Sequence, residues 1–185
     1  MHRDLSDSDL IIRSINAPGV FSELSARHGL AVHDYLRKRS GPGTADRLML
    51  KTFALAFRDR ERYQPRSSDA RSWFLGIATE LLRRGRRKSV PWGHDRRGQT
   101  QEQRDRLDDQ ALAGLSEIDR DLVCLSTIGG LNSVEVARAI GRPAAQVEKR
   151  LELLEARIHP MRSGTSRPHA ARSLRQRARR DVERP

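Results

Sequence analysis

The sequence predicts an all-α protein made of two small helical modules, a flexible linker and a disordered basic tail. Three observations lead there. Apolar residues recur at helical spacing in separate runs, each ended by Gly or Pro. Hydrophobic residues make up 36% and charged residues 32%, which is low in apolar content for one large core. The second half holds two short helical patterns joined by a turn containing Gly.

Taken in order, residues 1–19 read as a polar lead-in ending at the turn signal Asn16-Ala17-Pro18-Gly19. From Val20 to Arg39, the residues Phe21, Leu24, Ala31, Val32, Tyr35 and Leu36 recur at helical spacing. Ser40-Gly41-Pro42-Gly43 stops that helix, because proline removes a backbone donor and clashes with the preceding turn. A second helix is expected from Thr44, a good N-cap, through Leu48, Met49, Phe53, Ala56 and Phe57, with a band wide enough for the centre of a bundle. Gln64-Pro65 breaks it. A third helix is expected from Ser68 to Lys88, with Ala70, Trp73, Phe74, Ile77, Ala78, Leu81 and Leu82 on one face. It finishes in Arg83-Arg84-Gly85-Arg86-Arg87-Lys88, five cations in six positions, more than compensation of the helix dipole requires. Residues 20–88 form the first module.

Residues 89–106 carry Pro91, Gly93 and Gly98 and read as an exposed linker, longer than packed loops usually are. The second module is expected over 107–158. Ser116 can cap a helix bearing Ile118, Leu122, Val123 and Leu125, which Gly129-Gly130 ends. Asn132 and Glu135 have the spacing of a capping box. The short helix they open presents Val136, Ala137 and Ile140 and closes at Gly141. A last helix begins near Ala144 and carries Val147, Leu151 and Leu154. This pair has the pattern of a helix-turn-helix, whose second helix lies in the major groove with its early residues facing base edges. An ordinary helical hairpin has the same spacing. Residues 159–185 are Arg-rich and nearly free of apolar side chains, a composition that cannot fold alone.

The formal charge is +12 and the pI about 11.2, with nearly all the cations arginine. Charge so large and so clustered predicts a polyanionic partner, most simply DNA. Aromatics at 4% argue against an extended stacking surface for single strands. The one cysteine, Cys124, can form neither an internal disulfide nor a zinc site and reads as a small buried hydrophobe. The six histidines are scattered, and His28 and His33 lie five apart rather than the four that align ligands on a helix. No nucleophile motif or phosphate-cradling glycine loop is present, so neither catalysis nor a cofactor or metal is expected. No stretch approaches a membrane span, and the start lacks a signal-peptide pattern, so a cytoplasmic location is expected.

The residues from 20 to 158 resemble an extracytoplasmic-function (group 4) sigma factor of the sigma-70 family, with a divergent region 2. In the first module Thr52-Phe53, Ala56-Phe57 and Trp73-Phe74-Leu75-Gly76-Ile77-Ala78, followed by the basic cluster, look like sigma region 2. In the second, Leu115, Asp119-Arg120, Gly130-Leu131, Glu135-Val136-Ala137, Ile140-Gly141, Val147 and Arg150-Leu151 look like region 4. The resemblance implies a protein that binds core RNA polymerase and promoter DNA, with an anti-sigma factor as a further partner. It places polymerase docking on Asp46, Arg47, Leu50, Lys51 and Phe53. It places DNA contacts on Gln146, Lys149 and Arg150 of the second module and on Arg83, Arg84, Arg86, Arg87, Lys88 and Trp73 of the first. Gln can pair with adenine and Arg or Lys with guanine. Trp73 also fits core packing, and Arg150 also fits a hold on phosphate or on a neighbouring carboxylate. Arg47, Leu50 and Lys51 stand where the family usually has Asp, Gln and Glu. Glu80 follows Ala78-Thr79 where Asn is frequent, and there it would face DNA unfavourably. Glu148, Glu152 and Glu155 partly cancel Lys149, Arg150 and Arg157. These departures leave a second reading open, a sigma-like regulator or decoy that has lost initiation.

Overall fold

The computed structural model describes residues 5–65, 69–88, 112 and 114–163, the side chains of 87, 88 and 159–163 excepted. The linker expected over 89–106 lies outside the described residues, as does all of the expected tail beyond 163. Among the described residues every regular element is helical. Helix α1 spans Asp7–Arg13, α2 Ser22–Ser40, α3 Pro42–Arg58 and α4 Ala70–Lys88; α5 spans Glu117–Thr127, α6 Ser133–Ile140 and α7 Ala144–Ser163. Two 3₁₀ turns, Pro18–Phe21 and Arg60–Arg62, complete the first half. No described helix is long and apolar enough to cross a membrane.

The polar lead-in contains a helix that periodicity does not reveal. Ser6 caps α1 by accepting a hydrogen bond from the Asp9 backbone N–H, and Asp7 and Asp9 in the first turn suit the positive end of the dipole. Its Leu10 and Ile11 are wholly buried. Seven residues make fewer than two turns, too few for a helical period to stand out. Arg27 and His28 of α2 both reach Asp7, at 3.0 and 2.6 Å, and tie α1 down.

Helix α3 begins two residues earlier than Thr44. Gly41 takes a positive φ of 79°, which a residue with a side chain adopts at a cost, and Pro42 then occupies the first turn where its missing N–H is not needed. Thr44 therefore lies inside the helix rather than capping it. Helices α2, α3 and α4 close around an aromatic cluster centred on Phe74, whose ring lies 5.0 Å from Phe53, 5.3 Å from Trp73 and 6.2 Å from Phe21. Offset and edge contacts at these separations add to the area buried.

In the second half, Ser116 caps α5 and Gly130 turns the chain with φ 65°. The capping box at Asn132 and Glu135 is present in both directions, at 3.0 and 2.8 Å. Gly141 closes α6 in the left-handed conformation, and Arg142-Pro143 lead into α7.

The two halves pack directly on one another and share one core. Helix α4 crosses α6 where Gly76 meets Ala139; a Cβ at position 76 would sit 2.9 Å from the Ala139 carbonyl oxygen. Leu75, on the next position of α4, is wholly buried, and its Cδ1 reaches the Gly129 turn. Removing such a leucine from water contributes about 1.5–3 kcal/mol.

Candidate nucleic-acid interface

Helix α7 keeps one face in the core and turns the other outward. Val147, Leu151 and Leu154 are buried against α5 and α6, while Gln146, Glu148, Lys149 and Arg150 are exposed. Period 3.6 dictates that division, since 147, 151 and 154 fall on one stripe. Gln146 and Lys149 are thus presented near the start of the helix, the part a helix-turn-helix offers to base edges. Arg150 is engaged instead by Asp119 of α5: Nε and Nη2 each donate to the carboxylate at 2.7 Å. That fork holds the Asp119 carboxyl below its ordinary range, with help from the Ser116 hydroxyl. Of the two roles the sequence leaves open for Arg150, the structure shows the hold on a neighbouring carboxylate.

The basic cluster at the end of α4 is also paired. Arg83 Nε lies 3.2 Å from Asp121 Oδ2, and Arg86 Nη1 lies 2.5 Å from Glu117 Oε2, both acids belonging to α5. Arg84 turns outward and pairs with Glu80 one turn back at 2.8 Å, so Glu80 is partly neutralised rather than presented bare. Arg87 and Lys88 lie on the helix, but their side chains are outside the described residues.

A residue that the sequence reading passed over joins them. Arg39, in the last turn of α2, donates to Asp121 from Nε at 3.1 Å and from Nη2 at 2.8 Å, and to Glu117 from Nη2 at 2.9 Å. The Arg39 and Asp121 side chains are 4% and 1% exposed, so this contact is buried. Burial works against the charge on Arg39, but Asp121, Tyr35 and Glu117 together outweigh it and raise the guanidinium above its ordinary value. Burial likewise works to raise Glu117, yet its hydrogen bond with Arg39 and the charges of Arg39, Arg86 and Arg120 hold it below the ordinary carboxylate range. Tyr35, whose hydroxyl lies 2.8 Å from Thr79 Oγ1, sits beside the knot, and burial pushes its phenol upward. The signal for Arg39 was visible in Arg37-Lys38-Arg39, a cationic run at a helix end that dipole compensation explains away.

Trp73 packs 5.0 Å from Tyr63 and 5.3 Å from Phe74 while keeping part of its surface open. It forms a wall of a cleft of about 570 Å³ between α3, α4 and α6, whose lining also holds Arg58, Arg84 and Arg138, the first two paired with the lining acids Asp59 and Glu80. Its core role and its accessibility coexist. On α3, Asp46, Arg47, Leu50 and Lys51 are exposed along one stripe, and Asp46 Oδ1 lies 3.0 Å from His33 Nε2. Phe53 points the other way and packs on Phe74, which takes it off that outward stripe. Cys124 is buried, which pushes its thiol up to about 11. Among the described residues no cluster of His, Cys, Asp and Glu could hold a metal ion.

The fold is similar to that of CnrH, solved in complex with the cytosolic domain of CnrY. The two share 22% identity with a TM-score of 0.70, over 86% of this chain and 99% of that one. It is also similar to the sigma factor RpoE of Bartonella quintana, solved with the anti-sigma factor NepR, at 18% identity and TM-score 0.57 over 76% and 95%. The chain has the fold of an extracytoplasmic-function sigma factor. No family model and no curated protein matches the sequence. The likeness lies in the backbone course, since fewer than a quarter of aligned residues are identical.

Proposed function

We propose that this chain is a sigma factor, which binds core RNA polymerase in the cytoplasm and directs it to promoter DNA. The second module reads an upstream promoter element through α7, with Gln146 and Lys149 at base edges. The first module docks on polymerase through Asp46, Arg47, Leu50 and Lys51 and holds the opened strand with Arg83, Arg84, Arg86, Arg87, Lys88 and Trp73. The observation that carries this reading is a sigma-factor fold whose helix-turn-helix leaves the start of its second helix exposed. Arg84 and Arg138 share the cleft of the accessible Trp73, a pairing that suits a strand whose phosphates need neutralising and whose bases can stack. An anti-sigma factor is the natural regulator of such a chain. The test is a pull-down with core polymerase, followed by run-off transcription on genomic fragments. Initiation at a defined set of start sites supports the proposal, and absence of polymerase binding overturns it.

A second reading has its own support. Arg47 and Lys51 place two cations on the exposed α3 stripe, and reversing charge on a docking face costs affinity through like-charge juxtaposition. In this reading the chain is a sigma-like regulator that binds DNA without initiating. DNA footprints without run-off product would favour it.

A further inference from the structure

The cations expected to meet DNA converge, in this structure, on two carboxylates of the chain itself. Arg39 comes from α2, and Arg83 and Arg86 come from one face of α4. All three lie within 4 Å of Asp121, and Arg39 and Arg86 also reach Glu117. The guanidinium fork accepts a carboxylate and a phosphate in the same geometry. The cluster is not balanced, since three guanidiniums share two acids and Arg120 also draws on Glu117. Arg86 Nη2 is buried and, 3.7 Å from Asp121 Oδ1, makes no hydrogen bond among the described residues. Arg39 and Asp121 are buried while Arg83, Arg86 and Glu117 stay partly open; for the buried pair desolvation offsets much of the attraction, so an anion that takes the carboxylate's place keeps the guanidiniums paired at little net cost.

We propose that Arg39, Arg83 and Arg86 form a phosphate-binding site for DNA that Asp121 and Glu117 occupy as internal stand-ins for phosphate. Packing of the second module on α4 and binding of a strand at this site then exclude each other. The chain is closed until a nucleic acid, or a partner that parts the modules, displaces the two acids. This inference rests on the reading of the chain as a DNA-binding sigma factor and adds Arg39 to the residues that contact the strand.

The test uses the full chain, small-angle scattering for closure, and fluorescence anisotropy with a short single-stranded DNA oligonucleotide across a salt series. Asp121→Asn is expected to enlarge the radius of gyration and to tighten oligonucleotide binding. Where the closed form outweighs the open one ten to one, the gain is about ten-fold, because apparent affinity scales with the open fraction. Glu117→Gln, at a half-exposed carboxylate that does not threaten folding, should give a smaller change of the same sign. Adding Arg39→Ala to Asp121→Asn should lower the slope of log affinity against log salt by about 0.7, the value for one lost single-strand phosphate contact. A general loss of structure would not produce that slope change. If Asp121→Asn fails to fold by circular dichroism, Glu117→Gln decides alone. Folded variants with unchanged radius and affinity, or an unchanged salt slope without Arg39, overturn the inference, as does absence of oligonucleotide binding throughout. Polymerase binding is measured separately. A chain that opens and binds the oligonucleotide as expected but ignores core polymerase overturns the proposed function and leaves this site standing.

Discussion

Arg150, on the helix that the helix-turn-helix offers to DNA, is clamped by Asp119 of α5 through two hydrogen bonds of 2.7 Å. Asp119 is in turn fixed by the Ser116 hydroxyl at 2.7 Å. The guanidinium therefore braces α7 against α5, and in the proposed function it is the side chains ahead of it, Gln146 and Lys149, that contact base edges. Selection from randomised duplex DNA separates the two roles. Gln146→Ala should relax preference at one position of the selected site, by about 1–3 kcal/mol of discrimination for a bidentate contact. Arg150→Ala should leave the selected sequence unchanged and lower the thermal stability of the chain. The reverse pattern would show that Arg150 leaves Asp119 to read bases.

The same pair sets an acid limit. Asp119 has a folded-state pKa below its ordinary value because of the Arg150 hydrogen bonds, so it binds fewer protons folded than unfolded near pH 4. Its contribution is complete above the unfolded value and is lost as pH falls through the folded one. Glu117 carries the same sign from Arg39 and its neighbours. The melting temperature should therefore drop as pH falls from about 5 toward 3, and Asp119→Asn should drop less steeply over that window. Parallel curves for parent and variant would remove Asp119 from the account.

Much of the fold was legible because local rules and tertiary packing agree in this sequence. The capping box at Asn132 and Glu135, the left-handed stop at Gly141 and the single-faced runs of α2, α4 and α7 each have one cheap local solution. Thr44 was misread because two signals compete there, and proline at the first turn prevails over a hydroxyl cap. Helix α1 was missed because its stability comes from burying Leu10 and Ile11 and from Asp7 reaching Arg27 and His28, contacts 20 and 21 residues apart that no window contains. The interface was legible in its residue types but not in its pairing. Arg83, Arg86 and Arg150 are basic wherever they sit, yet sequence spacing cannot say that Asp121, Glu117 and Asp119 stand opposite them. Arg39, 82 residues from Asp121, was hidden for that reason.

The crossing of α4 over α6 depends on the absence of a side chain at position 76. Gly76→Ala would place a Cβ 2.9 Å from the Ala139 carbonyl oxygen, a backbone atom that cannot rotate away. The helices must then separate, at about 1–3 kcal/mol for an overpacked site. That loss exceeds the gain in helix propensity from glycine to alanine, about 1 kcal/mol at most. Chemical denaturation should show a net fall in stability. A variant as stable as the parent would mean that the modules are not held at this crossing in solution.

The exposed stripe of α3 offers the sharpest measurement of polymerase docking. Arg47 and Lys51 are four apart and both exposed, so they present like charges on one helix face beside Asp46 and Leu50. If this stripe meets a basic surface on polymerase, Arg47→Glu with Lys51→Glu turns two repulsions into attractions. Close pairs gain most, and rim charges act chiefly on the association rate. Binding of the doubly substituted chain to core polymerase should tighten, with faster association that weakens as salt is raised. Weaker binding would show that the native cations face an acidic partner and that docking on this chain has reversed its polarity. Unchanged binding would place the docking face elsewhere on the first module.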